Sequence, residues 1–311
     1  MRLRPLCRAI EVSELCYGTL TLGPLQKGLT PKEGGRLLCH AFERGVNFFD
    51  TAELYGTYPH LASGLSDLHR VVIATKSYAA DAAAMEQSLT LALRSLNRDY
   101  IDVFLLHEQE STHTLRGHAS ALEYLLRQRE AGTVRAVGLS THRVAGVRAA
   151  LQYKELDVIH PLINRAGIGI VDGSRDDMAA AILEASRQHK AIYAMKALAG
   201  GSLHKDALAA ISYVRELPGV VSVAVGMGSQ ADVDANCALF SQGAFPADYS
   251  PGQSKRQLHI EPWCTGCGDC VRHCPQRALS VVVGKAQVTH EQCVLCGYCV
   301  AHCRDFNVKV I

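Results

Sequence analysis

The chain has 311 residues, of which 48% are hydrophobic and 20% are charged, and its formal net charge is +2. This composition is that of an ordinary globular protein and excludes a largely disordered or fibrous chain. The small net charge does not indicate a nucleic-acid-binding protein. The length allows about two domains, or one α/β barrel with a smaller unit.

The hydropathy pattern gives no sign of export or membrane insertion. The first 15 residues lack the apolar core of a secretory signal. No apolar run reaches the roughly 18 residues of a membrane helix. We therefore expect a cytoplasmic protein that binds neither a membrane nor nucleic acid.

Short apolar runs alternate with longer amphipathic segments over the first 240 residues. The predicted strands are 15–19, 47–50, 71–76, 101–106, 135–140, 156–160, 191–196 and 220–226. The predicted helices are 32–44, 59–65, 82–96, 119–131, 145–151, 176–189, 206–216 and 230–240. Eight such units predict a (β/α)8 TIM barrel. A doubly wound sheet is the alternative, although no G-x-G-x-x-G motif follows the first strand.

The composition changes after residue 240. Residues 241–262 are rich in Gly, Pro, Ser and charged residues, and they lack helical periodicity. We predict that they form a linker that lies over the barrel. The predicted domains are therefore a barrel over residues 1–240 and a small α+β, cysteine-rich domain over residues 263–311.

Eight of the 12 cysteines lie between residues 264 and 303. They form two runs of the pattern C-x2-C-x2-C-x3-C, and a proline follows the first run. In a cytosolic chain, dense cysteines bind metal more often than they form disulfides. This spacing is typical of a protein with two 4Fe-4S clusters, in which the fourth cysteine of each run binds the other cluster. A pair of zinc sites is the alternative, since zinc also accepts four thiolates.

Each predicted cluster takes three cysteines from one run and the fourth from the other. The first set is Cys264, Cys267, Cys270 and Cys303. The second set is Cys293, Cys296, Cys299 and Cys274. We expect residues 278–283 and 307–311 to pair as flanking strands. The whole segment resembles a bacterial-type two-cluster ferredoxin.

Polar side chains stand at the ends of three neighbouring predicted strands, where (β/α)8 barrels hold their catalytic residues. Asp50, Lys76 and His107 end the second, third and fourth strands, and Tyr55 follows Asp50 by five residues. A phenol has a pKa of about 10, so we predict that Lys76 lowers the pKa of Tyr55 and that Asp50 orients Lys76. With His107, this set would protonate an alkoxide as hydride reaches a carbonyl carbon. A metal site formed by His107, His142 and His160 is the alternative.

The motifs FFDTAELYG, IATK and FLLH resemble the aldo-keto reductases, and the resemblance extends over residues 9–240. GLSTH, AMKALAGG and GMGSQADVDAN resemble that family's fifth strand, seventh strand and nucleotide loop. The resemblance implies that Asp50, Tyr55, Lys76 and His107 are a catalytic tetrad and that NAD(P)H binds at the strand ends. The residues that it implies for cofactor binding are Gly18, Thr19, Ser140, His160, Met195, Lys196, Gly226, Ser229 and Asn236.

Three positions depart from the family pattern. Gly228 stands where many members have a basic residue for the 2′-phosphate of NADPH, and no basic residue lies between 226 and 236. His160 stands where the family usually has a Gln that binds the nicotinamide amide, and Met195 stands where it often has a Tyr that stacks on the nicotinamide. Lys196, which follows Met195, could compensate by contacting a phosphate of the cofactor. NADPH, NADH and a site without nicotinamide therefore stay open as alternatives.

The sequence predicts an iron-sulfur oxidoreductase of the aldo-keto reductase type that reduces a small aldehyde or ketone or oxidises the alcohol. Nicotinamide gives two electrons as hydride, whereas each cluster passes one. The clusters are therefore expected to be structural or to exchange electrons with a redox partner protein. Two alternatives remain: a reductase driven by its clusters without nicotinamide, and an electron-transfer subunit whose barrel is a docking scaffold.

Overall fold

A computed structural model describes residues 1–65, 70–249 and 256–311. Its centre is a closed barrel of eight parallel strands, β3 to β10, in which β10 pairs with β3. The strands are β1 (Leu3–Cys7), β2 (Ile10–Ser13), β3 (Leu15–Gly18), β4 (Phe48–Asp50), β5 (Val72–Ser77), β6 (Ile101–Leu106), β7 (Val134–Thr141), β8 (Val158–Pro161), β9 (Ala191–Ala194), β10 (Val220–Gly226), β11 (Leu258–Ile260), β12 (Leu279–Val282), β13 (Lys285–Val288) and β14 (Val308–Val310). The predicted (β/α)8 barrel is confirmed, and the doubly wound alternative is wrong.

The helices lie outside the barrel or in the cysteine-rich segment. They are α1 (Pro31–Glu43), α2 (Tyr58–Gly64), α3 (Ala82–Leu96), α4 (Thr112–Gly117), α5 (Ala119–Glu130), α6 (Val144–Ala150), α7 (Arg175–Arg187), α8 (Ala207–Arg215), α9 (Gln230–Gln242), α10 (Asp269–Arg272) and α11 (Tyr298–Ala301). Their starts follow from local chemistry: Thr30 and Glu33 form a capping box at the start of α1. Within the described ranges, none of the helices has the length and apolar character that crossing a membrane requires.

One end of the barrel is closed by the hairpin of β1 and β2. Its side chains Leu6, Ile10 and Val12 join the apolar cluster that fills the barrel interior. This cluster includes residues from the beginnings of the strands, such as Val72 and Ala191. Ligands therefore reach the barrel from the opposite mouth, where the strands end.

The strand pairing predicted for the cysteine-rich segment is wrong. β12 pairs with β13, and the closing strand β14 pairs with β11. Val283 and Gly284 adopt positive φ angles of 48° and 72°, which turn the chain back so that β12 meets β13. The closing strand pairs with a segment that the sequence placed in the linker. Residues 250–255 of that predicted linker lie outside the described residues.

The cysteine-rich segment packs over the open mouth of the barrel. Its strand β14 lies against the turn Ala199–Gly201, which follows β9. A Cβ atom on Gly201 would lie 1.8 Å from the carbonyl oxygen of Val310, and the φ of Gly201 is +87°. Glycine thus permits this close approach between barrel and closing strand.

Candidate active site

Lys76 is a fully buried ammonium group that is held by three oxygen atoms. Its Nζ donates to both carboxylate oxygens of Asp50, each at 2.8 Å, and to the carbonyl oxygen of Thr51 at 2.7 Å. The two charged residues come from neighbouring parallel strands, β4 and β5, whose register brings their ends together. The ion pair offsets the cost of burying both charges, and Asp50 fixes the position of Lys76.

Tyr55 reaches the same place from a short 3-10 turn that follows β4. Lys76 Nζ lies 4.9 Å from the centroid of its ring, and the ring of His107 lies edge-on with 5.9 Å between centroids. Burial, followed by the field of Asp50, raises the pKa of Tyr55 well above its ordinary value. The net shift of this pKa is therefore upward, so burial and Asp50 outweigh the lowering by Lys76 that the sequence predicted. Asp50 offsets the charge of Lys76, and Tyr55 is a protonated phenol.

His107 is a neutral imidazole next to Tyr55. Burial, followed by the charge of Lys76, lowers the pKa of His107 well below its ordinary value. In the part of the chain that the structure describes, its buried Nδ1 has no hydrogen-bond partner. Tyr78 stacks on the other side of the ring with 4.3 Å between centroids. The sequence did not point to Tyr78, because it follows β5 as an isolated aromatic residue without a motif.

Tyr193 and His160 form a second layer around Asp50. The Tyr193 hydroxyl donates to Asp50 Oδ2 at 2.9 Å, and its ring stacks on His160 with 3.8 Å between centroids. His160 Nδ1 donates to the Tyr193 carbonyl oxygen at 2.7 Å, and burial lowers the pKa of His160 to about 3. Sequence reasoning missed Tyr193, which stands between Ile192 and Ala194 in β9 without a motif around it.

The three-histidine metal site does not form. His107, His142 and His160 are all described, and they are not grouped around a single position where a metal ion could bind. His160 already uses Nδ1 for the backbone. His142 lies next to Glu108, with 3.7 Å between Nε2 and Oε1.

Two cavities open at the barrel mouth, and both Tyr55 and Lys196 line each of them. The first cavity, of about 180 Å³, extends from the tetrad towards the start of α9. The predicted cofactor residues that line it are Gly18, His160, Met195, Lys196, Gly226 and Asn236.

The other three predicted cofactor residues have structural partners instead. The Thr19 hydroxyl hydrogen-bonds the Thr57 hydroxyl at 2.8 Å. The Ser140 hydroxyl accepts from the Glu108 N–H at 2.9 Å. The Ser229 hydroxyl caps α9 by accepting from the Asp232 N–H at 3.1 Å.

The first cavity contains polar groups that the sequence did not reveal. A Cβ atom on Gly228 would lie 2.7 Å from Lys27 Nζ, so a cation from the loop after β3 occupies the place where a basic residue seemed absent. Asn236 Oδ1 and Arg256 Nε are buried and have no hydrogen-bond partner among the described residues. Buried polar atoms without partners are unusual. A polar, anionic ligand in this cavity would pair with the Lys27 ammonium and provide hydrogen-bond partners for Asn236 and Arg256.

The second cavity, of about 300 Å³, lies between the barrel mouth and the cysteine-rich domain. Tyr55 and His107 line it from the barrel, and Trp263, Phe306 and Asn307 line it from the other domain. A ligand there would touch two members of the tetrad and both domains.

The cysteines of each predicted set influence one another's pKa, and Cys270 of the first set also acts on Cys299 of the second. Burial, followed by Cys303, Cys264 and Cys267, raises the pKa of Cys270. Burial also raises the pKa of Cys299 to about 12. The negative charges of four other cysteines raise this pKa further, and they are Cys296, Cys270, Cys293 and Cys274. Thiolates this close repel each other, so each set suits a cationic iron-sulfur core.

Backbone N–H groups point at the fourth cysteine of each run. The Ala278 N–H donates to Cys274 Sγ at 3.3 Å, and the Asn307 N–H donates to Cys303 Sγ at 3.1 Å. Such hydrogen bonds stabilise thiolates and tune cluster potentials. Residues Trp263 and Asn307, which line the second cavity, lie within four positions of cysteines of the first set.

Two family models match the chain. The Aldo/keto reductase family model matches residues 14–209, and a 4Fe-4S dicluster domain model matches residues 258–304. Among curated proteins, "Probable aldo-keto reductase 1" of Glycine max is 26% identical over 196 residues, which are 53% of this chain and 56% of that protein. The oxidoreductase YqkF of Bacillus subtilis is 25% identical over 44% of this chain and 49% of its own length. The chain spans about half the length of these curated relatives.

Solved structures show the same barrel. A protein of Pseudomonas aeruginosa described as an aldo-keto reductase has a TM-score of 0.67 and 27% identity over 77% of this chain and 95% of its own. The holo form of an aldo-keto reductase from Bacillus halodurans has a TM-score of 0.67 and is 20% identical, and the match covers 79% of this chain and 93% of that protein. An aldo-keto reductase from Klebsiella pneumoniae in complex with NADPH has a TM-score of 0.61 and is 21% identical, and the match covers 74% of this chain and 86% of that protein. Because the Aldo/keto reductase model covers more than half of the length of this chain, the chain belongs to the aldo/keto reductase family, and its C-terminal segment matches a 4Fe-4S dicluster domain.

Proposed function

We propose that this enzyme reduces a small carbonyl compound, or oxidises the corresponding alcohol, where the two cavities meet. NAD(P)H would occupy the first cavity and the carbonyl group the second. The observation that carries this proposal is the position of Tyr55, which lines both cavities with Lys76 behind its ring and His107 beside it. When bound, NAD(P)H supplies a hydride to the carbonyl carbon.

Tyr55 provides the proton for this reaction. Its raised pKa keeps the phenol protonated until negative charge develops on the substrate oxygen. The Tyr55 O–H bond then breaks as the product O–H bond forms, and the proton is later replaced from water. The Lys76 ammonium, 4.9 Å from the ring centroid, stabilises the phenolate that remains. Asp50 and Thr51 hold that ammonium in place.

His107 orients the substrate. Because its pKa is lowered, the ring is neutral at pH 7 and does not compete with Tyr55 as an acid. Stacking on Tyr78 fixes the plane of the ring. A hydrogen bond from the neutral ring to the carbonyl oxygen would hold that oxygen beside the Tyr55 hydroxyl.

The contents of the first cavity support a nicotinamide nucleotide. Lys27 beside Gly228 suits a phosphate group, and the unpaired atoms of Asn236 and Arg256 suit the polar edges of a nucleotide. The similarly folded Klebsiella structure is a complex with NADPH. We therefore favour NADPH over NADH, in contrast to the open choice that the sequence left.

We further propose that the two cysteine sets bind two 4Fe-4S clusters. The first set is Cys264, Cys267, Cys270 and Cys303, and the second is Cys274, Cys293, Cys296 and Cys299. When bound, the clusters supply one electron at a time, and a redox partner protein would exchange those electrons.

A second candidate function is a reductase that takes its electrons from the clusters and not from nicotinamide. One observation favours it: Trp263 and Asn307, close in sequence to cysteines of the first set, line the cavity that holds Tyr55 and His107. Equilibrium titration of the anaerobic, cluster-loaded protein with NADPH separates the two functions. Binding supports the nicotinamide mechanism, and absence of binding favours the second candidate.

The substitution Tyr55→Phe tests the proton-donor role. We expect NADPH-dependent carbonyl reduction to fall by at least about 100-fold, since general acid catalysis contributes that much. Cluster absorbance and NADPH affinity should stay as in the wild type. Tyr78→Phe is the matched control, because it removes a hydroxyl from the same cavity without removing the proposed proton donor. Retention of wild-type kcat in Tyr55→Phe would remove Tyr55 from the mechanism.

A further inference from the structure

Lys196 lies at the junction of the two cavities and lines both. It follows β9 and adopts a positive φ of 63°. A lysine in this left-handed region is uncommon and costs free energy relative to an extended conformation. The backbone turn carries the side chain towards the domain interface, where Nζ lies 5.4 Å from the centroid of the Phe306 ring.

The charge of Lys196 has no carboxylate partner. Within the described ranges, no hydrogen-bond acceptor and no ion-pair partner approaches its Nζ. The other lysine of the second cavity differs, because Lys309 is paired with Glu261. Burial, followed by the charge of Lys309, lowers the pKa of Lys196 to about 7. An anion next to this nitrogen would restore the ammonium form and offset its burial.

The Nζ of Lys196 lies on the side of the second cavity, because Phe306, whose ring centroid is 5.4 Å away, lines the second cavity and not the first. The charges that act on it most strongly are those of Lys309, Glu108 and Glu261, and all three of these residues line that cavity. Glu108 has its own contacts with Tyr78 and His142. Among the described lysines that line the second cavity, Lys196 is therefore the one without an ion-pair partner.

The second cavity has apolar walls on one part, which include Leu20, Leu54, Trp263 and Phe306. Such walls suit a compact organic body. Its polar lining includes Tyr55, His107 and Lys196, and the carboxylates Glu108, Glu261 and Asp305 also line it. A volume of about 300 Å³ suits a small molecule.

We propose that Lys196 binds a carboxylate of the substrate, so that the preferred substrates are small carbonyl compounds that carry a carboxylate group. This inference rests on the proposed carbonyl reduction and names its substrate class. The aldehyde or ketone group would lie at Tyr55 and His107, and the carboxylate would accept hydrogen bonds from Lys196 Nζ. The iron-sulfur domain would complete the binding site through Trp263 and Phe306.

Paired substrates test this assignment. The probes are 4-carboxybenzaldehyde and its neutral methyl ester, methyl 4-formylbenzoate, with NADPH and the anaerobic, cluster-loaded protein. In Lys196→Met, the ratio of kcat/KM for the acid over the ester should fall by at least about tenfold, as expected for loss of a charge-assisted hydrogen bond. Lys196→Arg should retain most of the ratio. Lys205→Met, which removes an exposed lysine outside both cavities, is the matched control.

Proton uptake gives a readout that does not depend on turnover. The charged and titratable groups that face Lys196 are Lys76 on β5, Glu108 after β6, His142 after β7, Glu261 after β11 and Lys309 on β14. At pH 8 the free Lys196 is mostly neutral, because its pKa is about 7. A bound carboxylate raises that pKa, so calorimetry with 4-methylbenzoate in two buffers should show uptake of close to one proton. Neither Lys196→Met nor the neutral ligand 4-methylbenzamide should show uptake.

The outcomes separate this proposal from the proposed function. Carboxylate binding with proton uptake, but without turnover of either aldehyde, supports the Lys196 site and contradicts carbonyl reduction. Turnover with the same acid-to-ester ratio in the wild type and in Lys196→Met overturns the Lys196 assignment alone. Weaker NADPH binding in Lys196→Met with an unchanged ratio also overturns it, because Lys196 would then be a nucleotide contact.

Discussion

At the scale of single residues, the site depends on one carboxylate with two partners. Asp50 accepts from Lys76 and from the Tyr193 hydroxyl, and Lys76 also donates to the Thr51 carbonyl oxygen. This network holds a charged ammonium behind a phenol whose pKa is raised. In the proposed mechanism Lys76 stabilises the phenolate that forms on proton transfer, while burial and Asp50 keep the pKa of the free phenol raised.

Lys27 allows a prediction about nucleotide preference. Its Nζ lies over Gly228 in the first cavity, where it would contact the 2′-phosphate of NADPH. We expect Lys27→Met to weaken NADPH binding by about tenfold or more, as for loss of a charge-assisted hydrogen bond. The affinity for NADH, which lacks that phosphate, should change much less. Equal weakening of both nucleotides, measured by fluorescence titration, would contradict a 2′-phosphate contact.

The strand-end residues could be predicted from the sequence, whereas Lys27 and Tyr193 could not. Asp50, Lys76 and His107 each end a recognisable apolar run, and adjacent parallel strands place such ends together. Lys27 reaches Gly228 through the folding of a loop that is about 200 positions away in the sequence. Tyr193 lies inside a strand, where periodicity indicates burial but not a hydrogen-bond partner.

At the scale of secondary structure elements, the turn after β9 connects the two domains. Gly201 has a φ of +87° and contacts Val310 of the closing strand, with 1.8 Å between a hypothetical Cβ and the carbonyl oxygen. We expect Gly201→Ala to lower the free energy of unfolding by about 1–3 kcal/mol, since it adds both backbone strain and a clash.

Gly117→Ala is the matched control for this prediction. Gly117 ends α4, and a Cβ there meets no atom within 4 Å. The melting temperature of the Gly117→Ala variant should equal or slightly exceed that of the wild type, because alanine favours a helix more than glycine does. Equal melting temperatures for Gly201→Ala and the wild type would show that the closing strand does not need this contact.

The barrel elements could be read from the sequence more reliably than those of the cysteine-rich domain. Helix α3 spans residues 82–96 as predicted, and Asp81 caps its start. In the smaller domain the strands have three or four residues, too few to show a period. The turn at Val283 and Gly284 then decided which segments pair.

At the scale of the whole molecule, the crossed assignment of the cysteines gives a further prediction. Cys303→Ser should remove one ligand of the first set and lower the iron content from about eight towards about four per chain, with the second cluster retained. Cys39→Ser, which changes a cysteine on α1, should keep the full iron content. Loss of all iron from Cys303→Ser, or an unchanged content, would contradict two separable sets.

The domain arrangement makes the iron-sulfur domain part of the candidate substrate site. Trp263, Phe306 and Lys309 line the second cavity opposite Tyr55. The sequence predicted two domains and a linker but contained no signal for this contact, because it arises from tertiary packing of the closing strand on the turn after β9.

The proposed function depends on transfer of a hydride from a nicotinamide to a carbonyl carbon next to Tyr55. We would test it first by an anaerobic single turnover of the cluster-loaded protein with 4-carboxybenzaldehyde and NADPH that is deuterated at both hydrogens of nicotinamide C4, followed by mass spectrometry of the alcohol. We expect one deuterium on the former carbonyl carbon of the alcohol, and loss of that product in Tyr55→Phe. An alcohol that carries no deuterium at that carbon would contradict hydride transfer and would identify the clusters as the source of electrons.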